Sequence, residues 1–255
     1  MLLPDSMTVL YGAGVFFRAG SFLFLLPFLN RPVPVSVRVA LAAFLACTAV
    51  MLIPPPVDLA MPNHWVGLVL LALMESFYGF CMALGVLLLF HIVQAGGELI
   101  STQLGLMQSN IFNPMSGTQE SVLGAGMMML TLVMIFILNI HHEILYGFLH
   151  SLRIAPVGSV PSDAGNVEFV MYETGKIFLI SLQMAGPLVA VNYIVTLSFA
   201  FLGKIIPTMN VLILSYSLRL AVGFSILFFV FYLLAQLMLS SVSTTPERML
   251  NYLPL

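Results

Sequence analysis

The chain has 255 residues, of which 60% are hydrophobic and 7% charged, with a mean hydropathy of +1.08, whereas a soluble domain carries roughly 25% charge. Eight basic and ten acidic residues leave a net charge of −2, too thinly spread to build a field for nucleic acid or a polybasic patch for anionic lipid. What remains is an all-α integral membrane-type protein in contact with lipid, because apolar blocks of about 20 residues, one bilayer crossing each, recur along the whole chain.

The first block, residues 7–29, holds Arg18 at its middle. A charge at that depth must snorkel, pair with an acid or face protein. No basic residue precedes Arg18, the wrong order for a cleavable signal, so the block is expected to stay as a helix. Asn30-Arg31-Pro32-Val33-Pro34 then breaks the chain, and a second block, 35–53 with Arg38, returns as an antiparallel partner. Pro54-Pro55-Pro56 stops it.

The third block, 64–95, exceeds one bilayer crossing and is expected to be tilted, broken or projecting. It carries Glu75, and Gly79 and Ala83 at the four-residue spacing that lets another helix come close. Cys81 here and Cys47 in the second block behave as small hydrophobes.

Between this block and the next lies Gln94 to Pro114, a polar, glycine-bearing stretch with no basic residue and one acid. A solvated loop of that length would carry more charge, so the stretch is expected to be packed inside something. Gly96, Gly97 and Gly105 permit close approach or a turn, and Asn113-Pro114 ends any helix that reaches it. His91, Gln94 and Glu98 share one helical face leading into it.

A fourth block, 122–140, contains Met127-Met128-Met129, which serve as adaptable core filler. Residues 141–173 look like an exposed loop with at most a short helix. The fifth block, 175–202, includes Lys176 and is expected to kink or split at Gly186-Pro187. A sixth, 210–240 with Arg219, precedes a short tail. The architecture is thus about six long, partly broken helices arranged as hairpins. Basic residues fall in loops on both sides, so charge sets no orientation.

Catalysis is not expected. His142-Glu143 has Tyr146 where a second zinc-binding histidine would stand, and no nucleophile–base pair stands out. Neither metal nor cofactor is implied. Arg18, Glu75, Lys176 and Arg219 are expected to pair between helices or subunits as structural locks. An alternative is a stand-alone proton-linked transporter for a small solute or ion, using His91 and Glu98.

In order along the chain stand Arg18, Pro27, Pro34 and Arg38, then Gly97-Glu98, Gln103 and Gly105 followed by Asn113-Pro114. Asn139-x-His141, Ser151 with Pro156-x-Gly158, Pro187, Gly203, Pro207-x-Met209-Asn210-Val211 and Gly223 continue the series. Over nearly the whole chain this punctuation resembles the FliR/SctT family, export-gate subunits of flagellar and virulence-type type III secretion systems. The resemblance implies a single export-gate domain, with a FliP-like part over 7–121 and remaining helices over 122–255 that include a FliQ-like C-terminal hairpin. It implies assembly with FliP-type, FliQ-type and FlhB/SctU-type subunits in the bacterial inner membrane, within a flagellar basal body or secretion-system base. The channel so formed passes unfolded exported polypeptides. In that family the loop after the Gly-Glu motif plugs the channel. The matching residues here are 104–114 together with Gln103: Leu104, Gly105, Leu106, Met107, Ile111, Phe112, Asn113 and Pro114, with His91, Gln94 and Glu98 as the adjoining polar face.

Overall fold

A computed structural model describes residues 6–30, 33–55, 64–106, 121–159, 166–206 and 211–244, with 250 and 253 beyond. Among the described residues every regular element is a helix: α1 (Ser6–Leu25), α2 (Pro27–Asn30), α3 (Val35–Leu52), α4 (Trp65–Leu104), α5 (Val122–Ile137), α6 (Ile140–Ile154), α7 (Asn166–Ile205) and α8 (Val211–Ser243). Five are long and apolar enough to cross a membrane, or six if α5 and α6 count as one broken span. The chain is an all-α protein of membrane type.

Two compact units share these helices. One comprises residues 1–89, 135–173 and 243–255, the other 90–134 and 174–242. Helices α4, α5 and α7 each contribute residues to both.

In the first unit α1 packs on α3, the hairpin expected of the first two blocks. Tyr11, Val15, Ala19, Phe22 and Leu26 form the buried stripe of α1 and its exit, and Ala42, Ala46 and Ala49 give α3 a small-residue face. Phe22 stacks on Phe148 of α6 with ring centroids 5.4 Å apart.

The sequence-based loop over 141–173 is corrected at both ends. Ile140, Ile144, Phe148 and Leu152 recur every fourth residue and are all buried, so α6 forms by covering one apolar face while its histidines stay at the edge. Asn139, with φ 58°, makes the left-handed break between α5 and α6. Helix α7 begins at Asn166 rather than near 175 and continues through Pro187 without splitting. Proline removes one backbone donor from a long helix, a loss that the many remaining bonds and packed neighbours outweigh.

In the second unit Val93, Ile100 and Leu104 of α4, Met127 of α5, Met184 and Leu188 of α7, and Leu234 and Met238 of α8 make one apolar core. Ser121 caps α5, its Oγ accepting from the Gly124 N–H at 2.9 Å. Gly97 and Gly124 let α4 and α5 touch backbone to backbone: a Cβ on Gly97 would sit 2.6 Å from Gly124 Cα and 2.9 Å from the Leu123 carbonyl oxygen. Backbone cannot yield as a side chain does, so Gly97→Ala should cost about 1–3 kcal/mol. Thermal unfolding of the purified protein should show a Tm lowered by several degrees, and an unchanged Tm would refute so close a crossing.

Candidate functional site at the end of α4

The third block and the stretch that follows it are not separate elements. Helix α4 runs unbroken for 40 residues to Leu104, so Gln94 and Glu98, expected on a helical face, and Gln103, expected in the plug loop, all lie on helix. Leucines and β-branched residues from neighbouring helices bury this end, and that burial overrides the weak helix propensity of Gly96-Gly97. Gly96 faces Met184, whose Sδ would lie 2.9 Å from an added Cβ.

Of the polar face, Gln94 and Glu98 are brought together: Gln94 Nε2 donates to Glu98 Oε1 at 3.0 Å. Both are half-buried, whereas His91 is exposed.

The helix stops in an ordered way. Gly105 has φ 76°, its N–H reaches the Thr102 carbonyl at 3.1 Å, and the Leu106 N–H reaches back to the Ser101 carbonyl at 3.0 Å. This pair of bonds around a left-handed glycine is the Schellman termination. Gly105 is therefore required for the turn that starts the next segment. Gln103 and Leu104 form the last helical turn, Gly105 and Leu106 the turn beyond it. Met107, Ile111, Phe112, Asn113 and Pro114 lie outside the described residues.

Sequence reasoning missed Asn192 of α7, whose amide nitrogen donates to Gln103 twice, at 2.8 Å to the backbone oxygen and 2.8 Å to Oε1. Its one signal was an amide amid an apolar block. Arg219 of α8 meets Thr196 of α7, with Nη2 3.0 Å from Thr196 Oγ1, so its described contact is a hydroxyl rather than an acid. Lys176 is half-buried on α7.

The first unit holds a separate buried charge site. Arg18 and Glu75 are both fully buried, with Nε donating to Glu75 Oε2 at 2.7 Å and Nη2 2.6 Å from the same oxygen. Arg18 Nη1 donates to the Ala155 carbonyl at 2.8 Å, at the C-terminal end of α6, where the helix dipole favours a cation. Glu75 Oε1 accepts from the Gly158 N–H at 3.0 Å, on a residue with φ 86°. The Tyr78 ring covers the guanidinium, 4.8 Å from its centroid. Ser151 and the Pro156-x-Gly158 turn thus belong to the same cradle that receives Arg18. Among the described residues no group of three metal-binding side chains occurs.

Comparison with known proteins adds to this geometry. The chain is 29% identical over 245 residues to the flagellar biosynthetic protein FliR of Bacillus subtilis (strain 168), covering 94% of this chain and 93% of that one. It is 31% identical over 215 residues to the flagellar biosynthetic protein FliR of Aquifex aeolicus (strain VF5), covering 83% and 81%. To the protein of that name from Escherichia coli (strain K12) it is 26% identical over 158 residues, covering 62% and 60%. Residues 9–245 match the family described as bacterial export proteins, family 1, and the chain belongs to that family.

Proposed function

We propose that this chain is a subunit of the inner-membrane export gate of a type III secretion system, and that it helps to form and close a channel for unfolded polypeptides. The observation that carries this is the match to the bacterial export family over residues 9–245, together with relatives named flagellar biosynthetic protein FliR. Its partners are FliP-type, FliQ-type and FlhB/SctU-type subunits, and its place is a flagellar basal body or a secretion-system base.

The structure supports assembly. Only 11% of the most apolar stretch of α8 and 17% of that of α7 is buried within the chain, and Phe228 and Phe229 are each 80% exposed. Apolar area of this extent is met by lipid and by other helices.

The segment after Gly105 is the stopper. Leu104 and Leu106 at its root, with Met107, Ile111 and Phe112 beyond, are apolar and adaptable, and a seal against small solutes needs no covalent chemistry. Deleting residues 106–110 should let the assembled complex, purified with its partner subunits into vesicles, release trapped carboxyfluorescein at least several-fold faster than wild type. Efflux at the wild-type rate would reject the stopper. Failure of the chain to co-purify with FliP-type and FliQ-type subunits would reject the gate assignment itself.

A further inference from the structure

The last carbonyls of a helix have no partner inside it and must find donors elsewhere. At the end of α4 the Schellman bonds occupy the carbonyls of Ser101 and Thr102, which leaves those of Gln103 and Leu104, and the first of these is met from outside the helix. Helix α7 supplies the donor, because Asn192 Nδ2 gives one proton to the Gln103 backbone oxygen and the other to Gln103 Oε1. With both protons committed, the amide can sit only one way round. Its Oδ1 is buried without a hydrogen-bond partner.

One turn on, Thr196 Oγ1 donates to the Asn192 carbonyl at 2.7 Å and accepts from Arg219 Nη2. Arg219 Nε is the second buried polar atom here without a partner. Asn192 and Arg219 both line a cavity of about 10 Å³, shared with Gln103, Leu104 and Gly223. That is about the room one water molecule needs. An unpaired acceptor and an unpaired N–H donor on two residues that line one such space suit a water, which donates to one and accepts from the other. The amide oxygen repels an anion, and the guanidinium repels a cation. Leaving both atoms unmatched among apolar helices would be costly.

The neighbouring packing also holds this end of α4. A Cβ on Gly223 would overlap Leu104 Cδ2, so the Leu104 side chain lies directly against the α8 backbone. Helix α4 is thus gripped at Gln103 and Leu104, and the next residue, Gly105, holds the left-handed turn.

We propose that Asn192, Thr196 and Arg219 are positioning residues which, with one water bridging Asn192 and Arg219, anchor the last turn of α4 and so fix the position of the Gly105 turn. The functional consequence rests on the export-gate assignment: a stopper seals only where its root is fixed.

Two readouts on the purified complex test it. The first is hydrogen–deuterium exchange of the 101–106 amides, and the second is carboxyfluorescein efflux from vesicles. Asn192→Asp keeps the shape and Oδ1 but loses both donors; it should raise exchange at 101–106 at least tenfold and efflux at least threefold, with complex yield unchanged. Arg219→Ala should do the same. The milder Thr196→Val, which removes only the hydroxyl, should shift both readouts in the same direction and covers the case in which the first two do not assemble. Thr102→Ala, on the exposed side of the same turn, should behave as wild type. Unchanged exchange at 101–106 in the Asn192 or Thr196 variant overturns the anchor whatever the efflux does. Raised exchange with wild-type efflux, in a complex that the 106–110 deletion makes leak, overturns its positioning role. A deletion that does not leak rejects the stopper instead, and the exchange result then decides the anchor alone.

Discussion

Glu75→Ala should destabilise the folded chain by about 3–5 kcal/mol, the cost of leaving one member of a fully buried ion pair without its partner. Arg18 cannot reach water from its position, since both side chains have zero exposure. Its remaining partners are the carbonyls at the end of α6 and the face of Tyr78, which offer partial charge where a full carboxylate stood. The Gly158 N–H loses its acceptor at the same time. Replacing both charges, as in Arg18→Met with Glu75→Leu, should be less damaging than either single change, because no uncompensated charge remains. It should still fall short of wild type by about 1–3 kcal/mol, because the Ala155 carbonyl and the Gly158 N–H lose their partners. Chemical unfolding of the detergent-solubilised protein would measure all three. A loss below about 1 kcal/mol for Glu75→Ala would match an exposed pair and contradict the burial described.

Gly79→Val should be nearly as severe, at about 3 kcal/mol, the upper part of the range for overpacking. A Cβ at position 79 would collide with the Arg18 carbonyl oxygen and with Ser21 Oγ. Ser21 is tied to that carbonyl by its own hydrogen bond of 3.0 Å, so neither obstacle can simply swing aside. Separating α1 from α4 by even a fraction of an ångström would also lengthen the Arg18–Glu75 contacts, coupling the two predictions. Adding Ser21→Ala should restore only a minor part of the loss, since it removes the hydroxyl and leaves the carbonyl. A double-mutant cycle with Glu75→Ala should be non-additive by more than about 0.5 kcal/mol, as expected of groups in one network. Strict additivity would show that the crossing and the ion pair are independent.

Several of these features are legible in the sequence alone. Gly79 four residues before Ala83 announced a close helix crossing, and Arg18 at the centre of an apolar block announced a buried partner. Gly105 announced a turn. Each follows from a local rule: a missing Cβ, a charge at depth, a positive φ. The identity of the partners was not open in the same way. Glu75 lies 57 residues from Arg18 and Ala155 lies 137 away, and no periodicity links positions so far apart. The length of α4 was hidden because Gly96 and Gly97 look like helix breakers until the backbones of α5 and the side chain of Met184 are seen against them. Helix α6 was hidden because its clustered histidines, Glu143 and the turn residues that follow outweighed, to the eye, four apolar residues at fourfold spacing.

Composition and the length of the apolar blocks alone therefore determined that this is an all-helical membrane-type chain, read as about six long helices, because lipid permits so few ways of satisfying a backbone. The order of its prolines, glycines and isolated charges also carried the family resemblance. Only the tertiary structure decided which polar groups answer one another: Arg18 with Glu75 and the end of α6, and Gln103 with Asn192. The reason is that a buried polar group constrains its surroundings to contain a partner without specifying where in the chain that partner comes from, and packing makes the choice.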